Sequence, residues 1–248
     1  MLDKNINKKE KKMSNLTVVD LFSGAGGLSR GFLDAGYDVA LGVDFDDMAL
    51  KTFKANHGNS EVLKLDLFDF DNIDKISDFL KENEKKVDVL VGGPPCQGFS
   101  LAGPRDVNDE RNRLYLAMVE TAKRLKPRAV VLENVPGLLQ LNEGKAAKRI
   151  IEDFSEIGYN IHCKILYAPE YGVPQIRKRV FFVGLLDSDI LFEFPEGFVE
   201  QSNFVTTEDA ISDLPGLEGI YGEEIQEYEV DALTPYQKLM RKNNDGVV

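Results

Sequence analysis

The sequence predicts an α/β fold, a mostly parallel sheet with helices on both faces. Three observations predict it. Short apolar, β-branched runs alternate with amphipathic stretches along most of the chain. Glycines close the first helical stretches, at Gly36 and Gly58. The chain has 248 residues and 43% hydrophobic content, enough for one large α/β core.

The elements follow in order. "TVVDLF" reads as a strand and "LSRGFLDAG" as a short helix; "VALGVD" is a strand and "DDMALKTFKANHG" a helix. "VLKLDL" is a strand and "NIDKISDFLKENE" a helix. "VDVLVGG" is a strand, followed by a polar loop and the helix "LYLAMVETAKRLK". "AVVLENV" is a strand and "KAAKRIIEDFSEIG" a helix. "NIHCKILYA" and "KRVFFVGLL" are strands separated by "PEYGVPQIR". Right-handed crossovers predict that every strand's C-terminal end lies on one edge, where ligands bind. After about Leu186 the rhythm stops, and "DSDILFEFPEGFVEQSNF" reads as connecting structure.

Composition narrows the function classes. No run of about 18 apolar residues exists, so no membrane span is expected. The start, "MLDKNINKKEKKMSNLT", is basic and lacks the apolar segment of a secretory signal. Two cysteines and two histidines fit neither a disulfide framework nor metal-ligand spacing, so a cytoplasmic, metal-free protein is expected. Net charge is −12, the wrong sign for binding nucleic acid by charge alone. The acidity is concentrated late: between Arg179 and Lys238 there is no Lys or Arg. Such a run reads first as a solvated acidic surface.

Five strand ends carry chemistry. In "VVDLFSGAGGLSRGF", Gly24, Gly26 and Gly27 let the backbone approach a ligand where a helix begins. The dinucleotide fingerprint fails, because Ser29 stands at the third glycine position. Asp44 ends the second strand, where an acid binds ribose hydroxyls, and Phe45 beside it can stack on a purine. Asp66 ends the third strand. The set suggests an adenosine-type nucleoside; the alternative is a tight turn with two helix caps. "GGPPCQGFS" brings Cys96 to the same edge behind Pro94 and Pro95, which restrict the backbone. Cys96 is either a nucleophile or an inert loop thiol. Glu133 closes the apolar run "VVLENV", where desolvation favours a protonated carboxyl able to bind a ring nitrogen; a cap or an ion pair is the alternative. In "GVPQIRKRVFFVG", alternation places Arg177 and Arg179 on one face, suited to a carboxylate, a phosphate or a base carbonyl.

Taken in order, "DLFSGAGG", "GVDFD", "GGPPCQGFS", "LENVPGLL" and "YGVPQIRKRVFFVG" resemble the cytosine-5 DNA methyltransferase family. The likeness covers about Val18 to Leu185, and "TEDAISDLP" and "TPYQKLMR" extend it. It implies a Rossmann-like S-adenosylmethionine-dependent methyltransferase fold, with S-adenosylmethionine as cofactor and cytosine in double-stranded DNA as substrate. By position it makes Cys96 the nucleophile that attacks carbon 6 of a flipped base. Glu133 becomes the acid at ring nitrogen 3, Arg179 the group on the base carbonyl, and Arg177 a support for Glu133 or the loop. Phe22, Ser23, Gly24, Ala25, Gly26, Gly27, Asp44, Phe45, Asp66, Leu67, Pro95 and Leu114 match cofactor contacts. Gln97, Ser100 and Gln175 fall on the substrate side. "LAGPRDVNDERN" matches a loop that closes over the base, with Arg105 and Arg111 toward phosphates. Methylases of exocyclic amines place an aromatic residue after their two prolines, and here a cysteine follows directly.

Composition marks a disordered basic tail over 1–16, and the resemblance divides the rest into a catalytic domain over 17–186 and connecting structure with an incomplete start of a recognition region over 187–248. The family's usual continuation after "PYQKLMR" is missing. The expectation is the catalytic subunit of a split enzyme in a restriction–modification system, with a second polypeptide supplying target recognition. The alternatives are a tRNA cytosine-5 methyltransferase and an inactive truncated or regulatory subunit. A nucleotide-binding oxidoreductase is disfavoured by the broken glycine pattern.

Overall fold

The computed structural model describes residues 16–95, 113–141, 143–216 and 226–241. Of the expected tail over 1–16, residues 1–15 lie outside the described residues. The chain runs β1 (Thr17–Leu21), α1 (Gly27–Asp34), β2 (Asp38–Asp44), α2 (Asp47–Asn56), β3 (Glu61–Lys64), α3 (Asn72–Glu82) and β4 (Val89–Gly92). It continues through α4 (Arg113–Leu125), β5 (Ala129–Asn134), α5 (Lys145–Glu156), β6 (Tyr159–Tyr167) and β7 (Lys178–Leu186). Two short helices follow, α6 (Thr207–Ile211) and α7 (Pro235–Met240). The strands form one seven-stranded sheet in the order β3-β2-β1-β4-β5-β7-β6.

Burial explains the layering. All five residues of β1 are buried, because it is paired on both sides and covered on both faces. Val19 and Leu21 join a core with Ile76 of α3, Met118 of α4 and Phe154 of α5. Val18 joins the opposite core with Phe53 of α2, against which Leu28 and Phe32 of α1 pack. The period of two along the strand therefore sorts α1 and α2 to one face and α3, α4 and α5 to the other. Gly92 ends β4 because a Cβ there would lie 2.6 Å from Met118 Sδ and 2.7 Å from the Leu21 carbonyl oxygen.

Three expectations are corrected. β7 pairs antiparallel with β5, Glu133 opposite Phe181 and Asn134 opposite Val180. Its C-terminal end therefore points away from the ligand edge, and its N-terminal end enters there. Arg177 precedes β7, so strand alternation does not reach it. β3 stops at Lys64, and Asp66 lies beyond it rather than at its end.

The described residues divide into two compact units, an α/β unit of 16–164 with 180–193 and a C-terminal unit of 165–179 with 194–241. Residues 165–179 thus group apart from the α/β core, unlike the 17–186 boundary read from the sequence. The cause is a long-range pairing. The Phe198 and Val199 N–H groups donate to the Glu170 carbonyl at 2.9 and 3.0 Å, and the Tyr171 hydroxyl donates to the Pro195 carbonyl at 2.8 Å. Residues 201–203 form a short 3-10 turn, and α6 and α7 are the only α-helices described in this unit.

Candidate cofactor and active site

The turn after β1 is held by backbone conformations that few side chains accept. Phe22, Gly24 and Gly26 have φ values of 57°, 52° and 90°. At Gly26 a Cβ would fall 2.2 Å from His57 Cε1, so the buried imidazole under the turn excludes any side chain there. The Ser23 N–H donates to the Val43 carbonyl at 3.0 Å, and Gly26 N–H to the Ser23 carbonyl at 2.9 Å. Asp44 ties the turn to β2: its Oδ2 accepts from Gly24 N–H at 2.8 Å and its Oδ1 from Asp46 N–H at 3.0 Å.

Asp20 lies beneath the turn, 1% exposed, and its Oδ2 accepts from the Ser29 hydroxyl at 2.6 Å. Burial pushes its carboxyl up to about 7. The Ser29 hydrogen bonds oppose that shift, and nearby Asp44 adds a smaller push in the same direction.

A cavity of about 400 Å³ opens where β1 to β4 end. Phe22, Asp44 and Phe45 line it from the ends of β1 and β2. Leu65, Asp66, Leu67 and Phe68 come from the segment after β3. Gly93 and Pro95 follow β4, and Leu114 lies in the first turn of α4. Asp66 is fixed by a local turn, its Oδ1 accepting from Phe68 N–H at 3.0 Å. Phe45 is 70% exposed, leaving its ring available to a ligand.

Seven expected cofactor residues therefore meet at one cavity: Phe22, Asp44, Phe45, Asp66, Leu67, Pro95 and Leu114. Ser23, Gly24, Ala25, Gly26 and Gly27 shape the turn behind it and are not among its lining residues. Leu65, Phe68 and Gly93 were not anticipated; the double glycine of "GGPPC" was the available signal for Gly93.

Glu133 is half-buried at the end of β5. A Cβ on Gly93 would lie 3.4 Å from its Oε2, so the carboxylate sits beside the cavity wall. Cys96, Gln97, Ser100, Arg105 and Arg111 lie outside the described residues. In the C-terminal unit Gln175 and Arg177 are exposed, and the Arg177 carbonyl accepts from Ala168 N–H at 2.9 Å. Arg179 is half-buried, and its Nη1 donates to the Lys178 carbonyl at 2.8 Å. Cys163 is exposed on β6, with its thiol pushed up by partial desolvation. Among the described residues no cluster of His, Cys, Asp or Glu suits a metal ion, and no helix is long and apolar enough to cross a membrane.

The family model for C-5 cytosine-specific DNA methylases matches residues 16–246. The Type II methyltransferase M.DdeI of Desulfomicrobium norvegicum is 42% identical over 240 residues, 94% of this chain and 56% of the relative. M1.HphI of Haemophilus parahaemolyticus is 40% identical over 82% of this chain and 54% of its own length. The chain thus spans about half the length of the curated relatives it matches. A crystal structure described as a DNA modification methyltransferase encoded within an E. coli prophage superposes with a TM-score of 0.74. It is 33% identical over 90% of this chain and 63% of its own. The S. pombe Dnmt2 methyltransferase, 20% identical with a TM-score of 0.54, shares the fold over 71% of this chain and 51% of its own. The chain belongs to the C-5 cytosine-specific DNA methylase family and has the Rossmann-like methyltransferase fold.

Proposed function

We propose, from that family membership, that this chain is the catalytic part of a DNA (cytosine-5-)-methyltransferase of a Type II restriction–modification system. The observation that carries the reading is the cavity itself. The carboxylates of Asp44 and Asp66, an exposed aromatic ring and the turn that leads to Cys96 meet there. Its size and largely apolar lining suit a nucleoside-sized ligand. In this reading Asp44 and Asp66 accept from ribose hydroxyls, and Phe45 stacks on adenine. S-adenosylmethionine, bound there, supplies an electrophilic methyl group.

The chain's own residues do the rest. Cys96 Sγ forms a bond to carbon 6 of the extruded cytosine, which makes carbon 5 nucleophilic. Glu133 holds a proton at ring nitrogen 3 as charge develops there. Arg179 polarises the base carbonyl, and Arg177 supports the segment that carries it. After carbon 5 is methylated a base removes its proton, and the sulfur–carbon 6 bond breaks to release Cys96. The prolines before Cys96 limit the thiol's freedom, so orientation contributes to rate.

We infer also that a second polypeptide supplies DNA recognition. The support is charge and surface. No Lys or Arg occurs between Arg179 and Lys238, and phosphate binding needs cations. Leu233, within that stretch, and Leu239, just beyond it, are 74% and 60% exposed.

The test is transfer of labelled methyl from S-adenosylmethionine into unmodified phage DNA, followed by nucleoside analysis. Label should appear as 5-methylcytosine and require the partner's presence. Cys96→Ser should abolish transfer while S-adenosylmethionine binding survives. Full transfer by Cys96→Ser would overturn the covalent route. Label only in tRNA would overturn the DNA substrate, and full activity of the chain alone would overturn the second polypeptide.

A further inference from the structure

Among the described residues the backbone pairing of β4 with β5 stops at Gly92. β4 and β5 run in parallel register from Val89 opposite Ala129 to Gly92 opposite Leu132. Beyond Gly92 the β4 side continues as Gly93, Pro94 and Pro95. Pro94 and Pro95 carry no N–H, so neither can donate to a neighbouring strand. The handle each offers is a carbonyl.

Asn134 takes that handle. It is 7% exposed at the end of β5. Its Nδ2 donates to the Pro94 carbonyl at 3.0 Å, and its Oδ1 accepts from the Val135 N–H at 2.8 Å. A backbone N–H only donates and a backbone carbonyl only accepts, so these partners fix which end of the amide faces which way. The residues on either side of Pro94, Gly93 and Pro95, both line the cavity. Cys96 is the next residue after Pro95.

We propose that Asn134 is a positioning residue, a side-chain latch that replaces the missing ladder bond and fixes the Gly93–Pro95 turn. Through that turn it sets one wall of the cavity and the point from which the chain continues to Cys96. The inference rests on the cavity being the S-adenosylmethionine site. Asn134 touches neither ligand nor base in this role.

The discriminating variant is Asn134→Asp, which keeps the shape and the acceptor for Val135 and removes only the donor. As a carboxylate it sets an oxygen against the Pro94 carbonyl oxygen and pushes the turn away. As a protonated acid it donates again. Calorimetry with S-adenosylmethionine across mildly acidic to mildly alkaline pH therefore reads the latch. Above neutral pH the variant should bind about 10- to 100-fold more weakly than wild type, the usual range for an unpaired buried polar group. The ratio should return toward one as pH falls. Asn134→Ala should be weak at every pH. Amide exchange at Val135 should stay slow in Asn134→Asp and speed up in Asn134→Ala, which reports that the aspartate variant is folded. An Asn134→Asp chain that binds like wild type above neutral pH, or that is weakened equally at all pH values, overturns the latch. A wild-type chain that binds no S-adenosylmethionine overturns the cofactor reading, and the latch with it.

Discussion

The two units of this molecule are held together by different means. In the α/β unit the buried side chains are mainly aliphatic and aromatic, with Leu21, Leu90, Ile76 and Phe154 at 1% exposure or less. In the C-terminal unit the buried described residues are Pro169, Asp213 and Gln237. Gln237 caps α7, and the Asp213 carboxylate meets Arg241 at 2.7 Å. Arg241 in turn lies 3.5 Å over the Tyr228 ring. The apolar side chains Ile211, Leu233 and Leu239 of the same unit are exposed. The first unit is organised by burial of surface, the second by directed polar contacts. A site that must hold a cofactor against reacting atoms is built on the first kind.

The largest expected effect tests where the chemistry lies. Glu133→Gln keeps size and polarity but cannot carry the carboxyl proton. Methyl transfer should fall by about two to four orders of magnitude, the usual worth of an acid–base group, while the chain stays folded and binds cofactor. Wild-type transfer rates in this variant would make Glu133 structural and move the chemistry away from the sheet edge.

The next effect sharpens the contrast in burial. Asp20 titrates near 7 in the folded chain, against an ordinary value of 3.8. A raised folded value means that its contribution to stability is full below the unfolded value and is lost as pH rises through 7. That loss amounts to at most about 4 kcal/mol from the size of the shift. Asp20→Asn cannot titrate, so urea midpoints at pH about 5 and about 8 should lie closer together in the variant than in wild type. An equal gap in both would show that Asp20 is not the buried acid responsible.

The same contrast sets what could be read from the sequence. The glycine turn, Asp44 and Phe45 were legible because a strand followed by glycines fixes where its end must lie. The direction of β7 was not. Val180 to Leu186 would look the same in a parallel or an antiparallel strand, and only the pairing of Phe181 with Glu133 decides it. Arg177 was misassigned because a period of two says nothing about where a strand begins. Asp66 was set too early because β3 has partners only opposite Leu41 to Asp44. Leu65, Phe68 and Gly93 join the cavity through contacts between distant segments, which no local pattern records. The grouping of 165–179 with later residues rests likewise on Glu170 meeting Phe198 and Val199. Cys96 was assigned from resemblance, and its segment lies outside the described residues.

The smallest effect separates the two units most cleanly. Thr206 and Thr234 each form a capping box, at the starts of α6 and α7. Thr234 does more than cap. Its hydroxyl accepts from Gln237 N–H at 3.1 Å and donates to the Asp209 carbonyl at 2.7 Å, joining α7 to α6. Thr234→Ala removes both bonds and should destabilise the helix pair by about 1–2 kcal/mol. With little apolar burial to compensate, that loss should appear locally, as faster amide exchange at Gln237 and Lys238. S-adenosylmethionine affinity should not change, because the residues lining the cavity all belong to the α/β unit. A weaker cofactor affinity in Thr234→Ala would mean that the polar unit helps shape the cavity, and the division of labour between the units would fail.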